Sequence, residues 1–264
     1  TNKFYLLKYK KKYIDVQILL NYRMPGLLNI KGYCPIDYYH HDCNMALFDY
    51  YPNTLIKYLE DKKNDQLCTY DYILILGIAI IFKNLHSNNI IHYKLNPSMI
   101  LIDENYYPIV YGIEESLDAK QNQYTLKQYV LNQFSIYESP EAFKDFTYFL
   151  SSNVFSYSLI VYLILTRKIP FEISKNYDGY LSHLKILYSG GRPDVSMIKS
   201  EFIVDFLKKC WKTNQSERLK FNDIVDMILN SEFYSYFHEI NHESVKKYLA
   251  IFKDDLSMPN KKCD

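Results

Sequence analysis

Residues 90–103 read IIHYKLNPSMILID. Apolar ends, Ile90-Ile91 and Ile100-Leu101-Ile102, bracket a short polar segment holding one proline, a pattern that predicts strand, loop, strand. The polar residues are His92, Tyr93, Lys94, Asn96 and Ser98, with Met99 where one more polar group would be expected. These are the wrong residue types for a loop that does chemistry. The segment is therefore either a catalytic loop stripped of its catalyst or a loop that never had one.

Just upstream lies YILILGIAIIF, residues 72–82, the longest apolar run in the chain. It falls well short of the roughly 20 residues that cross a bilayer, so it predicts a buried core helix over about 70–86 with Thr69 as its N-cap. Farther upstream, 3–9, 27–33 and 43–50 read as strands, 12–22 as a helix ended by Pro25 and Gly26, and 54–62 as a short helix. Downstream, MILID and YPIVY are extended pieces around a turn, and 112–138 is polar and aperiodic like a long surface loop. Residues 151–168, SSNVFSYSLIVYLILTRK, are apolar on nearly every face and predict a central helix stopped by Pro170. Further helices are expected near 178–189, 200–211 and 221–230, then one or two in 231–256, with the last eight residues frayed. A few strands followed by a mostly helical bulk describe an α+β chain with a small sheet-rich lobe and a larger helical one.

Bulk composition excludes several functions. The 264 residues carry a formal charge of +1, so no global field recruits nucleic acid or an anionic membrane surface. The five cysteines, Cys34, Cys43, Cys68, Cys210 and Cys263, are scattered without metal-ligand spacing, which reads as reduced thiols in the cytosol. No metal site and no signal peptide is read, and the expected location is cytoplasmic. The abundance of tyrosine (28 against 7 glycines) reads as the codon bias of an AT-rich genome, not as function. A first residue of Thr1 suggests a fragment or processed form.

At this point the landmarks resemble the eukaryotic protein kinase domain. His92-Tyr93-Lys94-Leu95-Asn96-Pro97-Ser98-Met99 is similar to that family's catalytic loop, H-R-D-L-K-P-x-N. Ser139-Pro140-Glu141 resembles its alanine-proline-glutamate motif. Asn153 to Ser158 resemble its buried D-V-W-S-F-G helix, and Ile169-Pro170-Phe171 the exit from that helix. Gly191-Arg192-Pro193, Cys210-Trp211 and Arg218 with Phe221 resemble the tyrosine-kinase-like branch. Phe48-Asp49-Tyr50 looks like gatekeeper and hinge. The resemblance spans about residues 3–230 and rests on landmarks in order, not on any single match. It implies a bilobal α+β kinase-like fold: a truncated N-lobe in 1–50 without glycine-rich strands, a C-lobe in 51–230, and a helical tail in 231–264.

The resemblance also says which groups phosphoryl transfer would need. The base position is Lys94, a donor-only ammonium, charged at neutral pH with an ordinary pKa of about 10.4, that cannot take a hydroxyl proton. The family's lysine beside the transferring phosphate is replaced by Asn96, and its amide metal ligand by Met99, a soft thioether where magnesium takes hard oxygen. Counting the family's spacing on from His92 lands on Gly112 where its metal-binding aspartate stands. Glu141 and Arg218 resemble the ion pair that ties the activation segment to the helical lobe, His92 the loop histidine, and Asn153 the helix aspartate that holds the loop backbone. Trp211 is a structural residue of the helical lobe.

These losses imply a pseudokinase, a catalytically inactive domain acting as scaffold or allosteric signalling module on a protein partner. Two alternatives stay open. One is an active kinase whose metal is held by Glu114 or Glu115; the other is a switch that binds ATP without turnover. No cofactor is required by the first reading. ATP is the cofactor the cleft would take, at Lys8, Phe48, Asp49 and Tyr50, with Asp15 as the partner of Lys8; the lack of a glycine-rich loop in the chain weighs against it. Lys8 also belongs to the basic run KYKKK, a solvated face. Tyr124 and Tyr129 fall in the activation loop, but Tyr93 replaces the arginine that would bind a phosphate there.

Overall fold

The computed structural model describes residues 5–10, 22–36, 42–113, 116–119, 124–125, 135–145, 147–172 and 177–252. All but the last residue of the expected helix at 12–22, together with Asp15, Glu114, Glu115, Tyr129 and the last eight residues, lies outside them.

Three antiparallel strands form the first sheet, in the order β1 (Tyr5–Lys10), β3 (Asp42–Asp49), β2 (Ile30–Ile36). Lys8 stands opposite Ala46, and Tyr5 opposite Asp49. This sheet is tied to the helical part through the turn before β2. Leu28 N–H donates to the Val110 carbonyl at 2.9 Å, and Val110 N–H to the Gly26 carbonyl at 2.7 Å. Gly26 must be glycine here: its φ is +83°, and a Cβ would come within 2.5 Å of the Ile81 side chain.

A short β4 (Asn53–Thr54) leads into α1 (Leu55–Asp61), capped by Thr54, whose hydroxyl accepts from Lys57 N–H at 3.2 Å. Helix α2 (Thr69–Ser87) follows, buried on every side from Tyr72 to Phe82. Its N-cap is Cys68, not the expected Thr69. Asp71 accepts the Cys68 N–H at 2.9 Å and fixes the helix start one residue earlier. The Thr69 hydroxyl is instead held by the later loop, accepting from Asn241 N–H at 2.8 Å.

The next strands are short: β5 (Ile90–Ile91), β6 (Ile100–Ile102), β7 (Pro108–Val110), β8 (Leu117–Asp118) and β9 (Tyr124–Thr125). A three-stranded sheet runs β4-β6-β7, and β5 pairs with β8. The segment after Gly112 is thus not wholly the aperiodic surface loop its sequence suggests: Ile113 is buried and β8 is anchored on β5. Then come α3 (Pro140–Asp145), β10 (Thr147–Tyr148), paired with β9, and the central α4 (Leu150–Thr166). Helix α4 ends at Arg167 in the left-handed conformation (φ 57°), three residues short of Pro170. At this end the Arg167 guanidinium is bonded to Asp71 at 2.8 Å, and Pro170 just beyond cannot continue the helix.

Helices α5 (Tyr177–Tyr188), α6 (Glu201–Cys210), α7 (Phe221–Leu229), α8 (Ser231–Tyr234) and α9 (His242–Ala250) follow among the described residues. Phe233, Phe237, Val245, Tyr248 and Phe252 bury into the same apolar core as α2 and α4. Tyr248 reaches α2 at Gly77, where a Cβ would overlap its hydroxyl, so this mid-helix glycine makes room for α9. Among the described residues no helix is long and apolar enough to cross a membrane.

Candidate functional site

The loop opened by β5 is suspended from α4. His92, 1% exposed, donates its backbone N–H to Asn153 Oδ1 at 3.1 Å, and its carbonyl accepts from Asn153 Nδ2 at 2.7 Å. A backbone N–H only donates and a carbonyl only accepts, so the network fixes the amide orientation. Asn153 Oδ1 is also 3.2 Å from His86 Nε2. That oxygen can only accept, so His86 carries its proton on Nε2. Burial pushes the His86 pKa down to about 4, which keeps the ring neutral. On its far side, the His92 ring donates from Nε2 to the Tyr111 carbonyl at 2.8 Å. Helix α4, the loop and the strand end before Gly112 are thereby locked together.

Within the loop, Asn96 is spent on shape. Its Oδ1 accepts from Ser98 N–H at 2.9 Å and from the Ser98 hydroxyl at 2.5 Å, and its Nδ2 donates to the Lys94 carbonyl at 2.9 Å. It thus caps the single 3-10 turn Pro97–Met99. The Lys94 ammonium lies 5.1 Å from the centre of the Tyr93 ring, a cation–π distance. Tyr93 in turn meets Tyr148 edge-on at 5.5 Å.

Met99 and Gly112 come together. Gly112 has φ +95°, and a Cβ there would lie 3.4 Å from His92 Nε2 and 3.5 Å from Met99 Sδ. The space beside Gly112 is bounded by an imidazole and a thioether. Lys94, Asn96, Met99 and Gly112 supply no carboxylate oxygen, and among the described residues no group of three or more His, Cys, Asp and Glu is placed to hold a metal ion. The described residues do not fit a hard divalent cation at this loop.

The cleft positions are spread along β3 and its exit. Phe48 is 2% exposed, Asp49 pairs with Lys31 at 2.9 Å, and Tyr50 is exposed. Lys8 is placed by its backbone on β1; its side chain is outside the described set.

On the other side of α4, Arg218 Nη1 and Nη2 donate to the two oxygens of Glu141, each at 2.7 Å. Arg218 Nη1 also reaches the Ser151 carbonyl at 3.0 Å, and Nε the Lys212 carbonyl at 2.9 Å, while Ser152 donates its hydroxyl to Glu141 Oε1 at 2.7 Å. Burial alone would raise the Glu141 pKa. The hydrogen bonds and charge of Arg218 outweigh it and hold the carboxyl below its ordinary value. Trp211, 3% exposed, packs near Tyr162, and its carbonyl accepts from Arg192 Nε at 2.8 Å.

Two polar relationships escaped the sequence reading. One is the buried pair Asp71–Arg167, at 2.8 Å, with Tyr58 donating to Asp71 at 3.3 Å. The signal was present as a lone acid entering one apolar helix and a lone arginine leaving another. The other is His86, which sits at the end of α2 and completes the Asn153 network.

A family profile described as protein tyrosine and serine/threonine kinase matches residues 8–228. Among curated proteins, the chain is 29% identical over 198 residues to "RGS domain-containing serine/threonine-protein kinase A" of Dictyostelium discoideum, covering 75% of this chain and 16% of that protein. It is 26% identical over 216 residues to "Dual specificity protein kinase pyk3" of the same organism, covering 80% of this chain and 15% of the relative. It is also 26% identical over 234 residues to "Protein MALE DISCOVERER 2" of Arabidopsis thaliana, covering 84% and 32%. The chain therefore spans a third or less of these relatives' lengths. With the loop, the helix that suspends it and the Glu141–Arg218 pair all falling inside the matched span, this chain belongs to the protein tyrosine and serine/threonine kinase family.

Proposed function

We propose that this domain is a pseudokinase of the tyrosine-kinase-like branch, a cytoplasmic signalling module that works by holding a protein partner. The observation that carries the reading is the Met99 thioether beside the Cβ-less Gly112, with the Lys94 ammonium at the base position. Phosphoryl transfer depends on positioned metal ions and a carboxylate near the attacking hydroxyl. Thioether and ammonium supply neither. The loop backbone is nonetheless held at both His92 groups, so shape is kept where chemistry is not. The branch assignment rests on Gly191-Arg192-Pro193 and Cys210-Trp211.

A second reading is active phosphotransfer. It is favoured by the names of the two Dictyostelium discoideum relatives, which are those of kinases, and needs Glu114 or Glu115 as metal ligand. Radiolabel transfer from ATP and magnesium separates the two. No transfer supports the pseudokinase. Transfer that is lost in Glu114→Gln, Glu115→Gln supports the second reading and removes the first. Thermal unfolding tests the ATP-binding switch. ATP at 100 times its dissociation constant stabilises by about 2.7 kcal/mol, a rise of roughly 5–10 °C for a domain this size. A rise that vanishes in Lys8→Met would mean a nucleotide-binding pseudokinase. No rise at millimolar ATP would leave the partner surface as the functional part.

A further inference from the structure

A cavity of about 720 Å³ opens where the end of α2, the start of α4, and the start of α7 with the turn before it converge. Its volume lies within the range of small-ligand pockets, roughly 300–1,000 Å³. Its walls are apolar and partly aromatic: Ile91, Val154 and Phe221 are each at most 2% exposed, and Phe149 and Tyr148 add ring surface.

Among the described residues the charge at the cavity is of one sign: its lining includes Lys83, Lys220 and Arg218 and no aspartate or glutamate. Arg218 is already engaged by Glu141 and two carbonyls. Lys83 and Lys220 have no ion pair among the described residues, and they border an apolar chamber. Such a chamber suits a compact ring system carrying one acidic group, its body desolvated against the walls and its anion held by the ammoniums. Gln215 Oε1, buried in the lining with no hydrogen-bond partner among the described residues, adds an acceptor for a ligand hydroxyl or amine.

One wall of the cavity is His86, which bonds Asn153 at 3.2 Å; Asn153 in turn holds both backbone groups of His92. We infer that the cavity is a binding site for a small aromatic acid, and that occupancy is transmitted through His86 and Asn153 to the His92 loop. This holds whether or not the loop catalyses.

The test uses anilinonaphthalene sulfonate, an aromatic anion that fluoresces on entering an apolar site. The expected result is saturable binding at one site per chain. Lys83→Glu with Lys220→Glu weakens it about tenfold or more, the equivalent of one lost charge contact. Ser87→Trp, a substitution at an exposed lining residue that fills the chamber, abolishes it. Circular dichroism of both variants checks that they fold. Binding also slows exchange of the His92 amide more than that of the Trp211 amide, which is bonded to the Leu207 carbonyl at 3.0 Å and serves as internal reference. No saturable binding, or equal binding by the parent and both folded variants, overturns the site. Binding with equal effect on the two amides overturns the transmission.

Discussion

Asn153 closes both hydrogen-bonding groups of the His92 backbone, accepting the N–H at 3.1 Å and donating to the carbonyl at 2.7 Å. An ionised aspartate can do the first but not the second. Asn153→Asp is therefore expected to destabilise the domain by about 1–3 kcal/mol, because a buried carbonyl loses its donor and faces a carboxylate. Urea unfolding measures the loss, and amide exchange at His92 localises it. A variant as stable as the parent would mean that the loop is not hung from α4 in this way.

Arg218 is a bidentate partner for Glu141, and the two side chains are 0% and 14% exposed. Removing one partner leaves a buried charge, so Glu141→Ala is expected to cost about 3–5 kcal/mol. The pH dependence has a definite sign. The folded Glu141 pKa lies below its ordinary value, so the pair's stabilisation is full above the ordinary glutamate range and fades as pH falls toward the folded pKa. Denaturant titrations at several acidic pH values check this. A Glu141→Ala protein as stable as the parent would refute the pair's role.

His183 lies fully buried in an aromatic box, its ring 4.9 Å from Phe143 and 4.7 Å from Phe171, and neither ring nitrogen has a hydrogen-bond partner among the described residues. Burial lowers its pKa from 6.5 to about 4. Between those values the unfolded chain takes up a proton that the folded one refuses. Stability should thus be complete above about pH 6.5 and fall toward pH 4, by at most about 1.4 kcal/mol per pH unit from this residue. His183→Leu should flatten that slope measurably. An unchanged slope would place the acid sensitivity elsewhere, His86 being the other histidine shifted the same way.

Restoring an aspartate at Gly112 should not restore chemistry. The +95° φ is costly for any side chain, although its Cβ would meet His92 and Met99 at ordinary contact distance. Gly112→Asp is expected to lose roughly 1–3 kcal/mol of stability, read by thermal or urea unfolding. A neutral or stabilising effect would show that the backbone here adapts, and that the space beside Met99 is larger than it looks.

Local pattern made the elements legible. The apolar run at 72–82 and the stretch 151–168, apolar on nearly every face, read as buried helices, and both lie in the core. The order of landmarks from His92 to Arg218 marked the family, and the resemblance, carried over residue by residue, implied that Lys94, Asn96, Met99 and Gly112 stand where the family has its catalytic set. Spacing misjudged the helix ends. Cys68 displaced Thr69 because a carboxylate three residues on took its N–H, and α4 ended at Thr166, two residues before the expected end, with Arg167 bonded to an aspartate 96 residues away in sequence.

What the sequence determined by itself was therefore what depends on near neighbours: periodicity, residue type and the order of motifs. Beyond the Glu141–Arg218 pair and the hold of Asn153 on the loop, which the resemblance implied, the tertiary structure decided which distant groups meet. It put Asp71 on Arg167, His86 on Asn153, and the Met99 sulfur beside Gly112, and it gathered two lysines with no ion pair among the described residues around one apolar chamber. The reason is physical. A buried polar group must find a partner wherever the fold brings one, and no local pattern records which segment that will be.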